Sequence, residues 1–293
     1  MPDGVPPDWP HVELSRIVIS PPHCWHLQMT GSGPDLLLIH GAGGSAHSWR
    51  DLIAPLSRSH RVLAIDLPGQ GFTRLGARTR CGLNPMSADI ARLLDTLNLH
   101  PRAIVGHSAG AAIALRLAQI LDPAPATIIG INAALENFPG VAGMVFPLIA
   151  KALALNPLTG RVVAATITYR ATERLISGTG SHLTPEGIEL YHRLLRNKSH
   201  VAGTLSMMEQ WSLDDLLKDL PEIRQRVCFM TGAEDLAVSP RTSEKAAERM
   251  PNAVFRKFPD GGHLLHEEWP DLVSAEILKI LDPTDPPSAL PGV

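Results

Sequence analysis

The sequence predicts an α/β fold: a mostly parallel, doubly wound sheet that opens with an antiparallel hairpin and is interrupted by a helical insertion. Three observations predict it. Short, continuously apolar runs recur along the chain, as expected of parallel strands buried on both faces. Segments of helical pattern separate most of these runs, which is the alternation of a doubly wound sheet. One block of nearly ninety residues, 133–220, has helical stretches and no strand run.

The elements follow in order. His11–Ser20 and Trp25–Met29 alternate or nearly alternate apolar and polar residues across Pro21-Pro22, which predicts a hairpin. The buried strands are Leu36–Ile39, Val62–Ile65, Ala103–Val105, Ile128–Ile131, Val227–Met230 and Val254–Phe258. Helices are predicted at Trp49–Leu56, Met86–Leu97, Ala111–Leu121, Ser239–Arg249 and Pro270–Leu281. Residues 1–132 and 221–293 thus form one core, and 133–220 form a helical lid inserted between two of its strands. The Pro-rich tail DPTDPPSALPGV is expected to fray.

Composition excludes several classes. With 44% hydrophobic residues in 293, the chain has material for a real core and is not disordered. A net charge of -3 argues against a nucleic-acid partner, which calls for a basic balance or stripe. Cys24, Cys81 and Cys228 are odd in number and far apart, so neither a disulfide framework nor a zinc site is expected. The start MPDGVPPDWP does not read as a signal peptide, and no run of about 18 apolar residues reads as a transmembrane helix. The expected location is cytoplasmic.

The strongest chemical signal is Gly106-His107-Ser108-Ala109-Gly110, between a strand and a helix. A G-x-S-x-G in that context is a nucleophile elbow: a sharp turn holds the serine above the sheet near the positive end of the next helix. A neutral serine needs a base, and the base an orienting acid. Asp235 follows the strand Val227–Met230, and His263 follows Val254–Phe258 after a glycine pair. Both lie at carboxyl ends of strands, where open α/β sheets place their sites. Glu234 competes with Asp235 and His266 with His263, and each position also admits an ordinary loop role. Acyl transfer further requires donors for an oxyanion. Ala109 supplies one backbone N–H, and the loop His40-Gly41-Ala42-Gly43-Gly44 supplies the second from Ala42. The loop Asp66-Leu67-Pro68-Gly69-Gln70-Gly71 reads as structural, and Gly178-Thr179-Gly180-Ser181 as a turn. No Walker lysine loop and no HExxH spacing occur, so no nucleotide, metal or other cofactor is expected.

The insertion sets the substrate. Phe138, Met144, Phe146, Met207, Met208 and Trp211 are candidates for an adaptable apolar pocket for a hydrophobic small molecule, or for packing of the lid on the core. The apolar stretch Val141–Leu155 also suits peripheral contact with a membrane surface.

LLLIHGAGGSAHSWRDL, DLPGQGFT, VGHSAGAAIALRLA, TGAEDLAV and GGHLLHEEWP together resemble the α/β-hydrolase superfamily over most of the chain. WPHVELSRIVIS, FPGVAGMVFPLIAKALALNPL and SGTGSHLTPEGIELYHRLLRNKSHVAGTLSMMEQW are similar to the magnesium chelatase accessory proteins of bacteriochlorophyll biosynthesis. The resemblance implies an α/β-hydrolase fold and a role in photosynthetic pigment synthesis linked to magnesium insertion into protoporphyrin IX. It does not settle a reaction; a tetrapyrrole or its ester, or a related acyl compound, suits the apolar lid as substrate, and magnesium chelatase subunits are candidate partners. Ser108, Asp235 and His263 match the superfamily triad, and Ala42 and Ala109 its oxyanion positions. Two rival readings stand beside a serine hydrolase: a porphyrin carrier with an unused triad, and a general carboxylesterase or C–C hydrolase.

Overall fold

The computed structural model describes residues 4–136 and 159–282. Eight strands form one sheet: β1 (Ser15–Ser20), β2 (His23–Thr30), β3 (Asp35–Ile39), β4 (Arg61–Ile65), β5 (Ala103–His107), β6 (Thr127–Ile131), β7 (Arg226–Gly232) and β8 (Ala253–Phe258). Their order is β1-β2-β4-β3-β5-β6-β7-β8. The first two junctions, β1–β2 and β2–β4, are antiparallel, and all others are parallel. The chain therefore has the mostly parallel sheet with an antiparallel start that the apolar runs predict.

Period-two alternation divides the sheet's side chains between two cores. Leu37, Ile39, Ile104, Ile128 and Phe229 point to one face, with α2 (Leu83–Leu97), α3 (Ala109–Ile120) and α9 (Pro240–Glu248). Leu36, Leu38, Val105, Ile129 and Met230 point to the other, with α1 (Arg50–Leu56) and α11 (Pro270–Leu281). Each such side chain, taken wholly from water, contributes roughly 1.5–3 kcal/mol. Helices on both faces explain why these strands read as unbroken apolar runs.

Between β6 and β7 the described chain is helical: α4 (Thr159–Thr166), α5 (Tyr169–Ser177), α6 (Pro185–Leu195), α7 (Lys198–Gln210) and α8 (Asp214–Asp219). A short α10 (Leu265–Glu268) precedes α11. Side-chain caps start three of these helices: Thr168 for α5, Thr184 for α6 and Asn197 for α7. Phe138, Met144, Phe146 and the stretch Val141–Leu155 lie outside the described residues. Among the described residues, no helix is long and apolar enough to cross a membrane.

The hairpin begins later than its alternation predicts. His11 takes a left-handed conformation (φ 54°) and Val12–Leu14 form a 3-10 turn, so β1 starts at Ser15. His11 Nε2 lies 2.7 Å from the Arg50 carbonyl, tying this turn to α1 instead of to the sheet.

Candidate active site

β5 ends at His107, α3 begins at Ala109, and Ser108 alone makes the turn. Its backbone sits at φ 52°, ψ -118°, a sparsely populated region that costs on the order of 1–3 kcal/mol for a residue with a Cβ. Three backbone bonds hold it there: Ser108 N–H donates to Ile131 O (2.9 Å), and Ser108 O accepts from Ala111 (3.1 Å) and Ala134 (3.2 Å). The flanking glycines are steric requirements. A Cβ on Gly106 would lie 2.3 Å from Gly110 O, and one on Gly110 would lie 2.2 Å from Ile39 O. Strand, turn and helix pack too closely for any side chain there.

Ser108 Oγ lies 3.0 Å from His263 Nε2, and His263 Nδ1 lies 2.9 Å from Asp235 Oδ2. Asp235 is 6% exposed and Ser108 8%. Burial alone would raise the Asp235 pKa, but hydrogen bonds from His263, Val238 N–H and Asn132 outweigh it and hold it below the ordinary carboxylate value. Asn132 Nδ2 donates to Oδ2 at 2.7 Å, and the N–H groups of Ala237 and Val238 donate to Oδ1 at 2.9 and 2.8 Å. An ionised Asp235 accepts a hydrogen bond from His263 Nδ1–H, which leaves the Nε2 lone pair facing Ser108 Oγ.

The competing residues stand elsewhere. Glu234 is exposed. His266 is fully buried between Trp49 and His107, with ring centroids 4.6 Å from each, and burial pushes its pKa far down.

The loop after β3 is held so that one amide stays available. His40 Nε2 accepts Leu67 N–H (3.0 Å), so its proton sits on Nδ1, which donates to Gly41 O (2.7 Å). Gly44 N–H donates to the same carbonyl (3.1 Å), and Gly43 N–H donates to Gln70 Oε1 (2.7 Å). In a trans peptide the N–H points opposite the C=O. Fixing Gly41 O therefore directs Ala42 N–H the other way, with no acceptor among the described residues. Gly41 packs directly on the elbow, where a Cβ would come within 2.9 Å of Ser108 Cβ. Ala109 N–H is the first amide of α3, at the helix's positive end.

Asp66 belongs to the scaffold. It is fully buried and accepts from His26 Nδ1 (2.7 Å), Ala46 N–H (2.6 Å) and Phe72 N–H (2.8 Å). Burial opposes its charge, yet His26 and these donors bring its pKa down to about 2. Of the candidate pocket residues, Met207 is in the main core and takes a contact from Gln70 Nε2 through its sulfur (3.1 Å). Trp211 packs partly buried against that core, and Met208 is half-buried.

Several residues of the site lie outside the sequence reading. Asn132, at φ 47° just past β6, bridges Asp235 and the Gly262 carbonyl; an Asn in a left-handed position at a strand's carboxyl end is the one signal for it. The Gly178–Ser181 turn does more than reverse the chain. Thr179 O accepts N–H from both Leu236 (3.1 Å) and His263 (3.3 Å), and Ser181 Oγ accepts Leu264 N–H (2.8 Å). Glu268 completes this clasp, taking His182 N–H on Oε1 and Gly262 N–H on Oε2, each at 2.8 Å. The helical insertion is thereby bonded to both loops that carry Asp235 and His263. A second tie joins it to α1: Glu267 accepts from Tyr191 (2.7 Å) and Arg50 (2.5 Å).

Residues 36–276 match the Alpha/beta hydrolase family. The chain is 43% identical to the "Magnesium-chelatase 30 kDa subunit" of Rhodobacter capsulatus, covering 96% of this chain and 99% of that one. Among solved structures, the epoxide hydrolase CorEH superposes with a TM-score of 0.75 at 19% identity, over 90% of this chain and 97% of that one. A thermophilic esterase from Thermogutta terrifontis gives 0.70 at 23% identity, over 90% and 96%. These two show a shared fold.

Proposed function

Because this chain belongs to the alpha/beta hydrolase family, we propose that it is a serine hydrolase acting as an accessory protein of bacteriochlorophyll biosynthesis, linked to magnesium insertion into protoporphyrin IX. The observation that carries the hydrolytic half is the hydrogen-bonded line from Asp235 through His263 to Ser108. The relative in Rhodobacter capsulatus, aligned over nearly the full length of both chains, supports the pigment half and favours magnesium chelatase subunits as partners.

In this reading Ser108 Oγ attacks a carbonyl carbon while His263 Nε2 takes its proton. The C=O electron pair moves onto oxygen, where the N–H groups of Ala42 and Ala109 stabilise it; one such donor is worth roughly 10²–10³ in rate. The tetrahedral species collapses to an acyl-enzyme, and His263 returns the proton to the departing alcohol. Water, deprotonated by the same imidazole, then releases the acid and restores Ser108. Asp235 stabilises the imidazolium throughout without taking the proton. The segment 133–220 acts as a lid, and a hydrophobic ester, such as a tetrapyrrole ester, is the substrate class. Gene deletion with analysis of accumulated pigment intermediates tests both halves, because complementation by wild type but not by Ser108→Ala requires the pigment role and the serine together.

A further inference from the structure

A concavity of about 1470 Å³ lies away from Ser108, Asp235 and His263, none of which lines it. Its walls come from β1 and the 3-10 turn before it, the loop after β4, Gly160 and Arg161 of α4, and α7 as far as Ser206. The helix α7 separates it from the elbow side: Gly203 on α7 packs against Gly69, where a Cβ would lie 2.9 Å from Gly203 Cα, and Met207, one turn further on, meets Gln70.

The lining is cationic in a chain whose net charge is -3. Arg16, Arg78, Arg161 and Lys198 reach it from four separate segments, and among the described residues none has a carboxylate partner. Nearby arginines that serve the fold are paired, Arg80 and Arg92 with Asp89 and Arg193 with Asp8. Among the described residues, Glu13 is the one carboxylate lining the groove. Apolar surface lies between the charges, from Ile17, Phe72 and Leu75.

The geometry points to a binding groove for an organic dianion: an apolar body bearing two or more separated carboxylates. Cations spaced over four segments match charges distributed over a large body. A single compact phosphate fits less well, because the start of α7 is already capped, with Asn197 Oδ1 accepting the N–H groups of Ser199 and His200. Arginine guanidinium groups pair with carboxylates in two parallel hydrogen bonds. Phe72 and its apolar neighbours bury the body between them. The groove stands apart from the hydrolytic reading, since its residues take no part in the Ser108 line.

Protoporphyrin IX is a suitable probe, and its dimethyl ester has the same body without the charges. Binding to the full chain is followed by the change in porphyrin absorbance and fluorescence. The dicarboxylate is expected to bind at least tenfold more tightly than the ester, and to weaken at least fivefold between 0.05 and 0.5 M salt as screening shortens. Arg161→Glu with Lys198→Glu should cost at least tenfold. Melting curves and fluorophosphonate labelling of Ser108 verify that the variants are folded and report separately on the hydrolytic reading. Equal binding of acid and ester, or wild-type binding by the folded charge-reversed variant, overturns the proposal. Binding of an acidic peptide in place of the porphyrin acid overturns it in favour of a protein partner.

Discussion

His107 donates from Nε2 to the backbone carbonyl of His263 at 2.8 Å. The two rings also pack against each other at a tilt of 58°, with centroids 4.8 Å apart. Burial, reinforced by the neighbouring His263, lowers the His107 pKa to about 3, so the ring stays neutral with its proton on Nε2. The residue before the proposed nucleophile thus fixes the backbone of the proposed base. His107→Phe keeps the ring and removes the bond, a loss of about 1 kcal/mol. We expect roughly fivefold to tenfold slower labelling of Ser108, read from progress curves, with His107→Gln closer to wild type.

Asp235→Asn keeps the shape of the site but removes the charge that sets the His263 tautomer. By the behaviour of such triads, turnover of an activated ester should fall about 10³–10⁴-fold. The same carboxylate contributes to stability. Its folded pKa lies below the unfolded value of about 3.9, so its contribution is complete above that value and is lost as pH falls through the folded pKa. Urea unfolding of wild type and Asp235→Asn at pH 7 and pH 3 should show a difference that shrinks at the lower pH.

The clasp between the insertion and the two site loops makes a different prediction. Glu268→Ala frees the N–H groups of His182 and Gly262 together, and each bond to a charged group is worth about 1.5–3 kcal/mol. We expect labelling of Ser108 to slow more than tenfold and Glu268→Gln to recover part of it. Ser181→Ala should give a milder loss through Leu264. Unchanged labelling in a folded Glu268→Ala would show that the His263 loop holds itself.

Buried histidines make the fold acid-labile. Burial lowers His200 to about 4 and His107 to about 3. His200 Nδ1 accepts Gly71 N–H at 2.9 Å, a bond that protonation there would remove. Between pH about 6.5 and 4 the unfolded chain binds protons that these folded rings refuse, so stability falls as pH drops, by about 1.4 kcal/mol per pH unit for each ring. Thermal melts should be flat above pH 7 and decline steeply toward pH 5, with His200→Asn less steep than wild type.

The parts of this molecule legible in the sequence are those encoded within one segment. The apolar runs of β3 to β8 stand out because both faces are covered, and Ser108 stands out because a strand, a glycine turn and a helix are contiguous. The order β2-β4-β3-β5 is not legible, since pairing partners leave no mark within a strand. Asn132, Thr179, Ser181 and Glu268 act across tens of residues, often through backbone carbonyls and amides that any side chain supplies. Their roles exist only once the loops meet. His11 shows the converse error: its alternation fits a strand, but its carbonyl-bound ring and left-handed backbone take precedence.

The central claim is that Ser108 is an activated nucleophile. The most direct measurement is intact-mass and peptide mapping of the protein after exposure to a fluorophosphonate at neutral pH. The account predicts one adduct, on Ser108, absent in Ser108→Ala and strongly slowed in His263→Ala. A folded wild-type protein that stays unmodified, or that carries its adduct elsewhere, would contradict it.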